Sequence, residues 1–418
     1  MTLILQNNSE IIFKEICSHQ FLKGFVFHSP KIYHPTEIEI GDVLIWARTL
    51  IINFELIWRN PVASKGIKSF TKRIGYKRDQ LKKDYEYFSH PDLDIILTNE
   101  SNISIKFPKE SFASSGYIGV VLVDSQDIVI KLHYHTIRKT FELPFSCLII
   151  TFDGFKNILQ EVDTIYDLAF YFKDRFNFSK YLFKNHPNDI LELNPEFERQ
   201  LIAFYKMNDN SFPEDLWDES KKYEYWNIYN NQFREQIEIR NQENEKSYIV
   251  DKIIDHLFSK HDEIQDGDVK ELPLHAWELA TLTRRQRATV LADKLIDAFE
   301  RMNKGNRYRY FSFLNQTTGC WLLFYFMYGE DTDKFKESFE ELIKLKIIYE
   351  VFKNSFRFSI FGYGFRKSSL SVNTEFDEVL LLIEDAENVK EENSELLHKA
   401  EKMFGKISVR RIVEFPNK

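Results

Sequence analysis

Cleaving a phosphodiester with a hard divalent cation requires carboxylate oxygens held together beside the scissile phosphate. Two acids near the N-terminus of this chain are spaced for that task. Asp42 follows Gly41 and opens the β-prone run Val43–Trp46, while Glu55 lies in Asn53-Phe54-Glu55-Leu56-Ile57 within a second β-prone run from Leu50 to Trp58. Two such runs a few residues apart read as a hairpin, which would set both acids on neighbouring strands. Glu55 carries more weight, because a carboxylate inside an apolar strand is costly unless it is paired or metal-bound. The plainer alternatives are a turn position for Asp42, since Gly-Asp is frequent at strand starts, and a solvent-facing edge position for Glu55.

Helices must position these acids. Ile11, Ile12, Ile16 and Phe21 recur near helical spacing between Asn8 and Phe27, with Ser9 suited to open the helix, and Glu15 on it is a third candidate carboxylate. An amphipathic helix would equally carry Glu15 as an ordinary exposed charge. After the hairpin, Lys68–Phe88 reads as a basic helix ending before Pro91. Its spacing places Arg73, Lys77 and Gln80 on one face, with Lys72 nearby, as groups for phosphate binding and for positioning a nucleophile. The basic run Lys65–Lys83 reads equally as a solvated face, with Asp79, Asp84 and Glu86 as intrahelical partners.

A helix with an acid, then Asp42, then Glu55 on a strand, then a helix with Gln80 resembles the PD-(D/E)xK restriction-endonuclease-like superfamily over about residues 9–90. The resemblance implies Mg²⁺ or Mn²⁺ held by Asp42 and Glu55, with Glu15 as an added ligand and Gln80 as the helix glutamine. The chain departs from the pattern at Ile57, which stands where the superfamily has its lysine. That lysine orients the attacking water and offsets developing charge, an effect worth a few kcal/mol of barrier. In some members of the superfamily it comes from the following helix, which makes Lys77 the first replacement and Lys72 the second. The implied activity is a metal-dependent nuclease, with DNA ahead of RNA as partner and defence against foreign DNA as its setting. The rival expectation is a decayed site, marked by Ile57, in a protein that keeps the fold to bind nucleic acid or to assemble; a protein-interaction module is a third. Phe155–Arg175 is similar to a segment of bacterial proteins of unassigned role that begin with such a core, which adds no mechanism.

With 418 residues the chain exceeds one ordinary core, and 43% hydrophobic residues supply enough apolar material for several. The expected fold class is α/β, with an N-terminal restriction-endonuclease-like mixed sheet and flanking helices at 1–180, a mainly helical domain at 181–305 and a C-terminal α/β domain at 306–418. In the first, strands are expected around Tyr117–Val123, Ile128–His135 and Cys147–Phe152, and Asp153 and Thr164 sit where caps would open two helices. The helical middle contains a Gly267-centred acidic loop. Four further strands are expected at Arg309–Leu314, Trp321–Met327, Phe356–Phe361 and Glu378–Ile383, with helices near Asp333–Leu345 and Glu391–Phe404.

A net charge of -8 excludes a general basic coat, so any polyanion site must be a local patch. Cys17, Cys147 and Cys320 lack the spacing of a zinc site or a disulfide framework, and the longest apolar run, Cys320–Tyr328, is too short to span a bilayer. A reducing, cytoplasmic setting without membrane partners is expected, with self-association or a protein partner left open. No phosphate-binding glycine loop appears, Gly362-Tyr363-Gly364 being too little, and there is no G-x-S-x-G elbow. His133 and His135 would share one strand face, which without a third ligand is a surface strand before it is a metal site. Arg284, Arg285 and Arg287 suit salt bridges better than a nucleic-acid backbone, and the aromatics Tyr308, Tyr310, Phe311 and Phe313 suit core packing better than a base-stacking surface.

Overall fold

Residues Leu50–Ile57, Leu-Ile-Ile-Asn-Phe-Glu-Leu-Ile, are mostly apolar, half of them β-branched or aromatic, and buried at every position, the signature of a strand covered on both faces. The computed structural model describes residues 11–18, 21–33, 37–47, 49–58, 67–93, 95–99, 104–107, 112, 116–124, 130–132, 134–185, 191–262, 274–303, 308–354, 359–367, 378–385 and 394–404. The protein is a mixed α/β chain that divides into two compact units, Met1–Gln242 with Ile254–Arg284 and Val413–Lys418, and Glu243–Ile253 with Arg285–Ile412.

The first unit is built on five strands, β1 (Val26–His28), β2 (Val43–Ala47), β3 (Leu50–Ile57), β4 (Tyr117–Val123) and β5 (Ser146–Thr151), which neighbour one another in that order. β2 runs antiparallel to both of its neighbours, β1 and β3, whereas β3, β4 and β5 run parallel, giving a mixed sheet. Parallel neighbours need crossover connections. Helix α2 (Ile67–Ser89) lies in the crossover from β3 to β4, and α3 (Tyr134–Phe141) in that from β4 to β5. Ile74, Leu81 and Phe88, seven residues apart, form the buried stripe of α2.

Strand alternation then divides the sheet's surroundings. Asn53, Glu55 and Ile57 share the face under α2, while Phe54 points to the other. There it meets Phe13 of α1 (residues 11–18) at a ring distance of 5.1 Å and Phe155 of α4 (Phe152–Leu159) at 5.5 Å. Helix α5 (Ile165–Asn185) adds Phe172 beside Phe155. Thr164 caps α5, its hydroxyl accepting the Asp167 N–H at 3.2 Å. The cap of α4 is Thr151, which accepts from Gly154 N–H at 3.0 Å, so Asp153 lies in the first turn instead and pairs with Lys156.

Within the expected strand Ile128–His135, Ile130–Leu132 is extended and Tyr134 and His135 belong to α3. Ile137 and Phe141 recur at helical spacing, and Phe141 packs on Phe176 and Phe183 of α5, burial that an extended chain could not supply. His135 is therefore helical, with no strand face to share, and His133 lies outside the described residues, as do the Gly267 loop and Ser9.

The second unit contains four strands, β6 (Tyr308–Leu314), β7 (Trp321–Tyr328), β8 (Ile360–Lys367) and β9 (Glu378–Glu384), again neighbours in chain order, with only β7 and β8 parallel. The helix Thr332–Asn354 crosses between them and packs Phe335, Phe339 and Ile343 against Leu323, Tyr325 and Met327. Gly362 and Gly364 lie inside β8 beneath that helix; a Cβ at Gly362 would sit 2.1 Å from Ile343 Cδ1, so this glycine serves close packing. Phe311, Phe324 and Tyr363 stack across three strands at 4.9 and 4.7 Å, so Phe311 of the aromatic run serves packing, whereas Tyr308 is exposed. The three arginines are buried in ion pairs, Arg284 with Asp163 (2.8 Å), Arg285 with Glu243 (3.0 Å) and Arg287 with Asp251. Cys17, Cys147 and Cys320 are all buried thiols. Among the described residues no helix is long and apolar enough to cross a membrane.

Candidate active site

The site begins at a turn that only glycine makes easily. Gly41 has φ +66°, and a Cβ there would fall 1.9 Å from Asn53 Oδ1. From this turn Asp42 N–H donates to Phe54 O at 3.0 Å. Strand β2 is regular only from Val43, so the next amide of β3 on that side, Leu56 N–H, has no strand partner; Asp42 Oδ2 accepts it at 2.6 Å. The Asp42 side chain is thereby fixed beside Glu55.

Lys77, halfway along α2, completes the cluster. Its Nζ donates to Glu55 Oε2 at 2.6 Å and to Asp42 Oδ2 at 3.1 Å, placing one ammonium between two acids from adjacent strands. Glu55 is 2% exposed and the Lys77 side chain 18%, so the cluster is shielded but open on the lysine side. Burial, followed by repulsion from Asp42, pushes the Glu55 carboxyl up to about 9 against the opposing pull of Lys77. For Lys77, burial works against the charge, yet Glu55 and Asp42 outweigh it and hold the ammonium protonated above its ordinary range.

Behind this lies a second buried layer. Asn53, two residues before Glu55 on the same strand face, donates through Nδ2 to Asp84 Oδ2 (2.8 Å) and to the Tyr117 hydroxyl (2.9 Å), which in turn donates to Leu81 O. Asp84 also accepts the Gly41 backbone N–H, so one carboxyl ties α2, the Gly41 turn and β3 together. Burial is the main reason its pKa rises to about 7. Both residues have a signal in the sequence: Asp84 is seven residues after Lys77, on the same helical face, and Asn53 is in phase with Glu55.

The other expected residues stand apart from the ammonium. Glu15 is exposed on α1, whose Phe13 packs against the Phe54 face of the sheet, opposite the face that carries Glu55. Among the described residues it has no hydrogen bond or ion pair with the cluster. Gln80 is half-buried one turn beyond Lys77, and its Oε1 is buried without a hydrogen bond among the described residues. Arg73, one turn before Lys77, donates to Trp58 O at 2.9 Å, just beyond the end of β3, and Lys72 is exposed to solvent. Ile57 is fully buried on β3 beside Val123 of β4 and brings no charge.

A divalent cation of the Mg²⁺ type is commonly held by one or two carboxylates, with waters and substrate oxygens completing its shell. Asp42 and Glu55 meet that requirement, since both already turn an oxygen toward one positive charge. No group of three or more His, Cys, Asp and Glu side chains is placed to hold a metal among the described residues. No protein-family model, curated protein or solved structure matches the chain.

Proposed function

We propose that the N-terminal unit is a metal-dependent nuclease with a restriction-endonuclease-like core, acting on DNA, and that defence against foreign DNA in the cytoplasm is its setting. The observation that carries the reading is the convergence of Asp42, Glu55 and the Lys77 ammonium, from two strands and one helix, at 2.6 and 3.1 Å. The setting rests on the family resemblance of residues 9–90 alone. Asp42 and Glu55 are the residues that would hold Mg²⁺ or Mn²⁺, which when bound supplies Lewis-acid charge and lowers the pKa of water. Lys77 orients the attacking water and offsets charge gathering on the phosphate oxygens, replacing the lysine absent at Ile57. Arg73 and Gln80, one turn to either side, position the phosphate, and Lys72 adds charge beyond them.

A second reading follows from the number of acids. With two at the ammonium among the described residues, Lys77 also serves as a structural counter-ion, in a protein that binds nucleic acid or assembles without cleaving. Incubating the full chain with linear, circular and single-stranded DNA and with RNA, in Mg²⁺, Mn²⁺ or EDTA, separates the readings. Metal-dependent cleavage absent in both Asp42→Ala and Lys77→Ala is expected. Cleavage lost only in Asp42→Ala would reject the role given to Lys77, and salt-sensitive binding without cleavage would favour the second reading.

A further inference from the structure

The flank of α2 next to the acids is distributed unlike the rest of the helix. With 3.6 residues per turn, Arg73, Gln80, Tyr76, Lys83 and Lys72 follow Lys77 in that order around the helix, from the edge of the site toward solvent. Lys72, Arg73 and Lys83 are exposed, and among the described residues neither lysine makes an ion pair. Tyr76 lies in the middle of this flank with 65% of its surface exposed. The two exposed acids of the helix begin the other flank and are engaged there, Asp79 by Arg78 at 2.6 Å and Glu86 by Lys82 at 3.9 Å. On a chain of net charge -8, three cations around a bare aromatic ring form a local patch of opposite sign.

Phosphates alone would be served by the cations. The ring asks for a flat apolar face, which a nucleobase offers only when it is unpaired and unstacked, because in a duplex the bases turn their faces to one another. We infer that this flank of α2 docks an unpaired nucleic-acid strand, with Tyr76 stacking on a base and Lys72, Arg73 and Lys83 contacting the flanking phosphates. The inference rests on the nuclease reading for its direction, since the strand so held runs along the helix toward Lys77. It narrows the substrate class to single strands, frayed ends or opened duplexes. Arg73 is preset for this role, because its bond to Trp58 O uses one guanidinium nitrogen and leaves others for a phosphate.

The test is fluorescence anisotropy of the full chain in EDTA with labelled single-stranded DNA, single-stranded RNA and the corresponding DNA duplex. Binding of a single strand ahead of the duplex is expected, and the better-held single strand identifies the sugar. Tyr76→Ala should weaken single-strand binding about 5- to 150-fold, the range given by base–aromatic stacking, while Tyr76→Trp retains it. Lys72→Gln and Lys83→Gln should each lower the salt slope for the single strand by about 0.7. Equal single-strand affinity in Tyr76→Ala, or a preference for duplex, overturns the inference. Cleavage in Mg²⁺ is scored separately: a protein that cleaves but is indifferent to Tyr76→Ala keeps the nuclease reading and loses this one. Tyr76-dependent binding without cleavage does the reverse.

Discussion

Replacing Asp84 by Asn tests the electrostatics beneath the site without touching a proposed ligand. Asparagine keeps the shape and one carbonyl oxygen to accept from Asn53 or Gly41, but it cannot ionise. In the wild type, burial above all moves Asp84 from 3.8 to about 7. Repulsion from Asp42 adds to the rise, while hydrogen bonds from Asn53 and Gly41 and the charge of Lys77 oppose it. Between those pH values the folded protein holds a proton that the unfolded chain has released. Stability from this group is therefore full below the lower value, falls as pH rises and levels off above the upper one. One proton changes stability by at most about 1.4 kcal/mol per pH unit, so the ceiling across the window is about 4 kcal/mol, a large share of the roughly 5–15 kcal/mol that holds a domain together. Asp84→Asn should abolish that slope and become increasingly more stable than the wild type as pH approaches neutrality. Urea unfolding followed by tryptophan fluorescence in EDTA, across the acid to neutral range, measures the difference. A variant-minus-wild-type stability that does not change with pH would refute the argument, showing that Asp84 is ionised in the folded state at the same pH as in the unfolded chain.

Glu55→Gln should show the same sign over a longer window, with its advantage over the wild type still growing as pH approaches about 9, read in the same denaturation series. Lys77→Met removes the cation that both acids share; losing one partner of a buried pair costs about 3–5 kcal/mol. The midpoint of Lys77→Met should therefore drop and be raised by Mn²⁺ more than that of the wild type, whereas an equal metal response would argue against Asp42 and Glu55 as ligands. Gly41→Ala forces a Cβ onto Asn53 Oδ1 in a left-handed backbone, so thermal unfolding should report a loss of roughly 1–3 kcal/mol or more, and a neutral effect would contradict the turn geometry.

Local pattern revealed more of this site than of the protein around it. The hairpin, both acids and the basic helix follow from β-prone runs, one costly carboxylate and apolar residues at helical period, and the helix boundaries at Ile67 and Ser89 lie close to those read from the residues. Lys77 lies nearer than Lys72 to the buried Ile74–Leu81–Phe88 stripe, which is why it, and not Lys72, reaches the acids. The strand expectation fails at His135 because apolar residues at helical spacing, Ile137 and Phe141, outweigh β propensity only when a distant helix, here α5, is there to receive them. Glu15 lies on the helix that precedes the hairpin, but nothing in its own neighbourhood specifies which side of the sheet that helix covers.

What the sequence by itself determined are quantities set by neighbours along the chain: which residues share a strand face, which lie on one helical stripe, and where a glycine must turn. Only the tertiary structure decided that α2 crosses over the Glu55 face while α1 packs on the Phe54 face, that Lys77 reaches both acids, and that Asp84 ties Asn53 to the Gly41 turn. The reason is physical. Periodicity fixes the direction of a side chain relative to its own element, whereas the partner it meets depends on how parallel strands are joined across many residues. That choice is settled by burial of the whole sheet and by no local preference.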